Sequence, residues 1–187
     1  MLTLFRKTWR FIYANSLSAV FILLVFAGVH FWQTKDFHST GLPESLQGAS
    51  FVFIESGQEP RPVRLIDLLT DLQSQDPGRP VAIYLWAEWC AICKLQESSI
   101  ESLQRDHLLI SVAVQSGSPE KVAQVLKDRG LPLRTLVDPS GQWLNALGLR
   151  AVPSFMVTNA NKELHWVTVG YTTELGMRLR LWLEKVI

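Results

Sequence analysis

The chain has 187 residues, 48% of them apolar and 19% charged, with a formal net charge of +1. That length suits one domain with an appendage. The near-neutral charge and the lack of a clustered basic run exclude nucleic acid as an expected partner.

The appendage is N-terminal. No charged residue occurs from Phe11 to Thr34, and Leu17 to Trp32 is almost wholly apolar, close to the ~20 residues that a bilayer-spanning helix needs. Arg6, Lys7 and Arg10 precede the segment, whereas Lys35, Asp36 and His38 follow it. Positive-inside bias therefore keeps residues 1–10 in the cytoplasm, makes 11–32 a transmembrane anchor and exports the rest. Trp9 and Trp32 sit near its two ends, at interfacial positions. A cleaved signal peptide is the alternative, with Val25-Phe26-Ala27 as the processing site. The apolar run continues through Val29, Phe31 and Trp32, a length that favours an uncleaved anchor. In either case the cysteines face an oxidising compartment outside the cytoplasm.

Residues 33–50, turn-rich with Gly41, Pro43 and Gly48, read as a linker, and 51–187 as the folded domain. Phe51–Ile54 and Val63–Leu65 flank a Gly57/Pro60/Pro62 turn region and predict a hairpin, followed by a short helix over 66–72. Val81 to Ala87 is β-branched and aromatic, bounded by Gly78 and Pro80, as a buried central strand should be. Ile92, Leu95, Ile100 and Leu103 then recur near a helical period. Leu108 to Val114 predicts a second buried strand. Ser118 and Pro119 open a helix as N-cap and first residue, carrying Val122, Val125 and Leu126 inward and stopping at Gly130. A short strand over 135–137, a short helix over 143–147 and a hairpin of 154–158 with 164–169 follow. The last segment, 173–186, carries Leu175, Leu179, Trp182, Leu183 and Val186 on one helical stripe, expected to pack into the core, with Arg178, Arg180 and Lys185 on a solvated face.

The two cysteines of the chain, Cys90 and Cys93, stand in Trp86-Ala87-Glu88-Trp89-Cys90-Ala91-Ile92-Cys93-Lys94, at the predicted strand-to-helix junction. A thiol at a helix N-terminus meets unsatisfied backbone N–H groups and the positive end of the helix dipole, which favour thiolate. Thiolate is the nucleophile of disulfide exchange. Cys93, one turn further on, can attack a mixed disulfide formed at Cys90 and release the partner. A purely structural bridge across so short a loop would remove little unfolded-state entropy. Zinc or copper would need more ligands than two thiolates, and His30, His38, His107 and His165 are scattered. The expected redox group is thus the Cys90–Cys93 pair itself, with no added cofactor and no metal.

This order of elements resembles a thioredoxin-like α/β sandwich, a central mixed sheet with flanking helices, here preceded by one transmembrane helix. The stretch Trp86 to Lys94 resembles the thioredoxin active-site motif, and Ala151-Val152-Pro153-Ser154 resembles the family's cis-proline loop. The leading hairpin, the inserted 118–138 segment and the anchor are similar to the membrane-tethered TlpA-like branch. The ending, Gly170 to Leu183, resembles the suppressor-of-copper-sensitivity D (ScsD) group within it. A proline at a strand start also fits wherever no ladder N–H is needed; the resemblance implies a cis bond that turns the Val152 backbone toward Cys90, where Val152 and Pro153 would receive a substrate chain. Trp89 either offers that chain an apolar platform or packs locally. The buried aspartate that cytosolic thioredoxins carry six residues before the first cysteine is replaced by Tyr84, a poor proton acceptor at neutral pH. Water, Glu88 or Lys94 must then assist Cys93. Ala91-Ile92 between the cysteines lacks the histidine of strongly oxidising relatives, so a reducing or intermediate potential is expected. The resemblance implies a thiol–disulfide oxidoreductase anchored in a bacterial inner membrane with its catalytic domain in the periplasm, acting on partner-protein cysteines, haem-attachment cysteines included, with electrons from a DsbD-like or ScsB-like transmembrane donor. A disulfide-introducing oxidase and a non-catalytic adaptor or metal-binding module are the alternatives.

Overall fold

The computed structural model describes residues 18, 20, 21, 24, 25 and 40–186. The expected membrane segment, 11–32, lies outside them apart from Ser18, Val20, Phe21, Leu24 and Val25, which are helical. No helix among the described residues is long and apolar enough to cross a membrane.

From residue 40 the chain forms β1 (Thr40–Gly41), α1 (Glu44–Gln47), β2 (Ser50–Ile54), β3 (Arg61–Arg64), α2 (Leu65–Gln75), β4 (Val81–Trp86), α3 (Ala91–Asp106), β5 (Leu108–Val114), α4 (Pro119–Asp128), β6 (Thr135–Asp138), α5 (Gln142–Ala146), β7 (Ser154–Thr158), β8 (Glu163–Val169) and α6 (Glu174–Val186). The strands make one eight-stranded sheet in the order β1-β8-β7-β4-β5-β6-β2-β3. β4 pairs parallel with β5 and antiparallel with β7, so the expected mixed α/β sandwich is present.

β4 shows why the sheet has two covered faces. All six of its residues are buried, and their side chains alternate between two cores. Val81, Ile83 and Leu85 enter a cluster with α1, α2 and α5, where Trp143 lies 6.3 Å from the Phe51 ring centroid. Ala82, Tyr84 and Trp86 enter the opposite cluster with Cys93, Ile100 and Leu103 of α3, Val122 and Leu126 of α4, and Met177 and Leu181 of α6. A strand covered on both faces has no polar side, hence its continuous apolar run. Asp138, fully buried, ends β6 by accepting hydrogen bonds from the Gln142 and Trp143 N–H groups, both at 2.9 Å, and so caps α5. Ser118 caps α4, its Oγ accepting from the Lys121 N–H at 3.4 Å, with Pro119 as the first helical residue as expected.

Two expectations are corrected. The folded domain begins before residue 51: β1 adds to β8 through Thr40 and Gly41, and Leu42 and Leu46 are buried, so residues 40–50 are part of the domain rather than linker. Two leucines at helical spacing among turn residues suffice to pin the segment to the core. The second correction concerns α6. Its buried residues are Met177 and Leu181, Leu183 is half-buried, and Leu175, Leu179, Trp182 and Val186 are exposed. Hydrogen bonds to α3 accompany this orientation: Arg178 donates to Asp106 at 2.8 Å and Ser102 donates to Glu174 at 3.0 Å, while Arg178 also donates to Glu174 within α6 at 2.9 Å. Arg178 is therefore an α3-facing residue rather than a solvated one.

Candidate functional site

The site forms where β4 stops. The Cys90 N–H donates to the Ala87 carbonyl at 3.1 Å, closing the turn out of the strand, and α3 starts at Ala91 with Cys90 as its N-cap. The Cys90 sulfur accepts a hydrogen bond from the Cys93 N–H at 3.1 Å, occupying one of the donors that a helix start leaves free. Cys90 and Cys93 are joined as a disulfide, with Cα atoms 5.3 Å apart. Cys90 is 6% exposed and Cys93 1%. An incoming group therefore meets Cys90 first.

Sheet pairing supplies the second side. Because Ser154 of β7 pairs with Leu85 of β4, the residues just before β7 arrive beside the β4–α3 turn. The Val152–Pro153 bond is cis. The Val152 carbonyl oxygen lies 3.7 Å from Cys90 Sγ. The expected candidates Cys90, Cys93, Val152 and Pro153 thus meet in space. Trp89 is 63% exposed at the rim, its indole N–H donating to the Gln115 carbonyl at 3.2 Å. That hydrogen bond ties the exposed ring to the residue that follows β5. Ile92 and Leu95 of α3 are exposed as well.

The groups available for proton transfer are arranged differently from expectation. The Glu88 carboxylate accepts from Lys121 Nζ at 2.6 Å, and this hydrogen bond holds it below the usual carboxylate range. Its backbone is tied too, the N–H to Ser116 Oγ at 2.9 Å and the carbonyl to Arg129 at 3.1 Å. Glu88 is therefore an anchored, ionised residue. Lys94 is exposed. Tyr84 lies beneath Cys93, its hydroxyl 3.5 Å from the Cys93 carbonyl. Burial pushes its phenol well up, and the nearby Glu97 carboxylate adds to the effect, so Tyr84 stays protonated at neutral pH.

Glu97 is the residue that the sequence reading missed. With Tyr84, Trp86, Cys93, Leu131 and Leu133 it lines a small cavity on the inner side of the disulfide. Its carboxylate accepts from Arg129 at 2.6 Å, with both side chains largely covered. The signal was available in the spacing: Glu97 follows Cys93 by four residues on α3 and so shares its face. Among the described residues, no group of three His, Cys, Asp or Glu side chains is placed to hold a metal ion.

Residues 62–167 match the AhpC/TSA family. The chain belongs to that family. It is 29% identical over 111 residues to a thioredoxin-like protein of Haemophilus influenzae, covering 59% of this chain and 66% of that relative's length. To the thiol:disulfide interchange protein DsbE of the same organism it is 24% identical over 142 residues, covering 71% of this chain and 78% of the relative. The exposed lipoprotein thioredoxin Etrx1 of Streptococcus pneumoniae superposes with a TM-score of 0.58 at 20% identity, covering 72% of this chain and 99% of that structure. The fold is thus thioredoxin-like, and this AhpC/TSA-family chain, with its C-x-x-C pair, is a thiol–disulfide oxidoreductase of the broad group that includes DsbE, ResA and HelX.

Proposed function

We propose that this chain is a membrane-anchored, extracytoplasmic reductant of disulfides in partner proteins. The observation that carries the reading is that Cys90 Sγ, the less covered of the two sulfurs, lies beside the Val152 carbonyl, with Cys93 more deeply covered behind it. In the reduced protein the Cys90 thiolate attacks one sulfur of a partner disulfide. A Cys90–partner bond forms, the partner's sulfur–sulfur bond breaks, and the released partner sulfur leaves as thiolate and takes a proton. Cys93, deprotonated, then attacks Cys90 Sγ, the mixed disulfide breaks, and the partner departs with two thiols. The Cys90–Cys93 disulfide that remains is the form described above, and two electrons have passed to the partner. Val152 and Pro153 offer backbone to an extended partner segment, so docking depends little on its sequence, and Trp89 provides an apolar rim. Glu97, on the inner cavity, is placed to accept the Cys93 proton, the role that Tyr84 cannot take.

The reducing direction is supported by Ala91-Ile92, which puts no imidazolium beside the thiolate. Regeneration then requires a donor of two electrons across the membrane, of the DsbD-like or ScsB-like kind, and the C-terminal likeness to ScsD suggests a place in copper stress. Thiol trapping in intact cells tests direction: Cys90 and Cys93 mostly reduced is the expected result, and a mostly oxidised pair would favour the oxidase, which runs the same steps backward. A reporter fused after Ile187 should be active only outside the cytoplasm, with the full-length chain resisting alkaline extraction from membranes. A shortened, extractable form would replace the anchor with a cleaved leader.

A further inference from the structure

We propose that the β8–α6 edge, through Leu179, Trp182 and Trp166, is a docking face that seats the domain on the lipid bilayer surface. Among the described residues from 40 onward, the exposed large apolar side chains fall into two groups. Trp89, Ile92 and Leu95 surround the cysteines and are accounted for by partner docking. The others, Trp166, Val169, Tyr171, Leu175, Leu179, Trp182 and Val186, all lie on β8, α6 or the turn between them. Leu175 is 78% exposed and Trp182 57%. Leu175, Leu179, Trp182 and Val186 recur at helical spacing on one face of α6, and Trp166 reaches the same helix through Glu184; an exposed apolar strip of this kind marks an interaction site.

Three observations identify the bilayer as its occupant; the argument for that occupant rests on the anchored reading above. First, with the domain starting at Thr40, only residues 33–39 separate it from the expected anchor end at Trp32; fully extended, so few residues reach at most ~25 Å. On the anchored reading, the point where the chain enters the domain stays within that distance of the bilayer. Second, the chain joins the domain at this same edge, because β1 pairs with β8 at Thr40↔Leu164. Third, the polar groups of the strip are of the kind an interface accepts. The acidic side chains of α6 are hydrogen-bonded within the domain: Glu174 accepts from Arg178 and Ser102, and Glu184 accepts from Trp166 Nε1 at 2.7 Å and contacts His165 at 2.9 Å. Lys185 remains exposed beside tryptophan and leucine, the composition of helices that lie in the headgroup region. Gln96 of α3 donates to the Thr172 carbonyl at the head of α6, so seating α6 also sets the height of the Cys90 rim above the bilayer.

The test uses the full chain in vesicles of phosphatidylcholine and phosphatidylglycerol whose acyl chains are brominated near the headgroup, where bromine quenches tryptophan by contact. Wild type is expected to be quenched, and Trp182→Phe to show a smaller quenched fraction, while Trp9 and Trp32 continue to report the anchor. Leu179→Glu, at an exposed position, should reproduce the deficit by lifting Trp182 from the lipid. A quenched fraction in Trp182→Phe equal to or above that of wild type, with Leu179→Glu unchanged from wild type, overturns the docking face and leaves the anchor standing. Absence of all quenching, with protein recovered off the vesicles, removes the anchor and the docking together. A Trp182 signal that tracks protein density in the vesicle at constant lipid composition assigns the strip to a second copy and overturns the proposal.

Discussion

Differential alkylation of the reduced protein probes the assignment of nucleophile and resolving thiol directly. The Cys90 sulfur receives the Cys93 N–H at 3.1 Å and caps the 16-residue helix α3. A hydrogen bond to a charged acceptor contributes about 1.5–3 kcal/mol and a helix terminus about 0.3–1 kcal/mol; taking ~2 kcal/mol at this solvent-touched rim raises the thiolate population about thirtyfold. Intrinsic nucleophilicity falls as the thiolate is stabilised, with a Brønsted slope of about 0.4–0.5, leaving a net gain of roughly sixfold in rate. Cys93, more deeply covered, has neither the capping hydrogen bond nor comparable access. Iodoacetamide labelling at neutral pH, followed over time by peptide mass spectrometry, should therefore modify Cys90 first. The informative perturbation is Cys93→Ser, because it removes the second sulfur and keeps the backbone N–H. Cys90 in that variant should react within about twofold of its wild-type rate if the backbone is the stabilising group. The same variant should accumulate mixed disulfides with partners, and Cys90→Ser should not. Labelling of Cys93 ahead of Cys90, or collapse of the Cys90 rate to that of an unstructured cysteine in Cys93→Ser, would refute the reasoning.

Glu97→Gln should slow resolution by roughly 100-fold, the lower end of the range for loss of a positioned proton acceptor, seen as persisting mixed disulfide with both cysteines present and a rate that regains ground as pH rises. Asp138→Ala leaves the Gln142 and Trp143 N–H groups without their acceptor, and should lower stability by about 2–4 kcal/mol in denaturant titration. His107 is held below its ordinary value of 6.5, first by desolvation and then by the neighbouring Arg178 and Arg79 charges. A base depressed in the folded state supports folding above its unfolded value, and that support is lost as pH falls through the folded one. The thermal midpoint should therefore drop on acidification from about pH 7.5 to about pH 5, and His107→Gln should flatten that part of the profile.

Strongly local signals were legible without coordinates. The apolar run ending at Trp86, the C-x-x-C at the following helix start and the Ser118-Pro119 cap each encode their structure within a few residues, because strand burial, N-capping and helix nucleation are short-range requirements. The meeting of Cys90 with Val152, 62 residues away, was reachable only through resemblance, since the pairing of β7 with β4 is a tertiary event. Glu97 was half legible: helical spacing puts it on the Cys93 face, but Arg129, from the end of α4, and Tyr84, from β4, turn that face into a lined cavity. Leu42 and Leu46 looked like tether residues because a core position is defined by what packs against it, and those partners lie elsewhere in the chain. The clearest case is α6. Period alone marks Leu175, Leu179, Trp182 and Val186 as one apolar stripe and says nothing about which side of the helix meets the sheet. Met177 and Leu181 form a second, shorter stripe, and the contacts to α3, Arg178 with Asp106, Glu174 with Ser102 and Thr172 with Gln96, hold that one inward. Hydrophobic patterning specifies that a helix has an apolar face; the polar contacts of its neighbours decided which face was buried and left the larger one exposed.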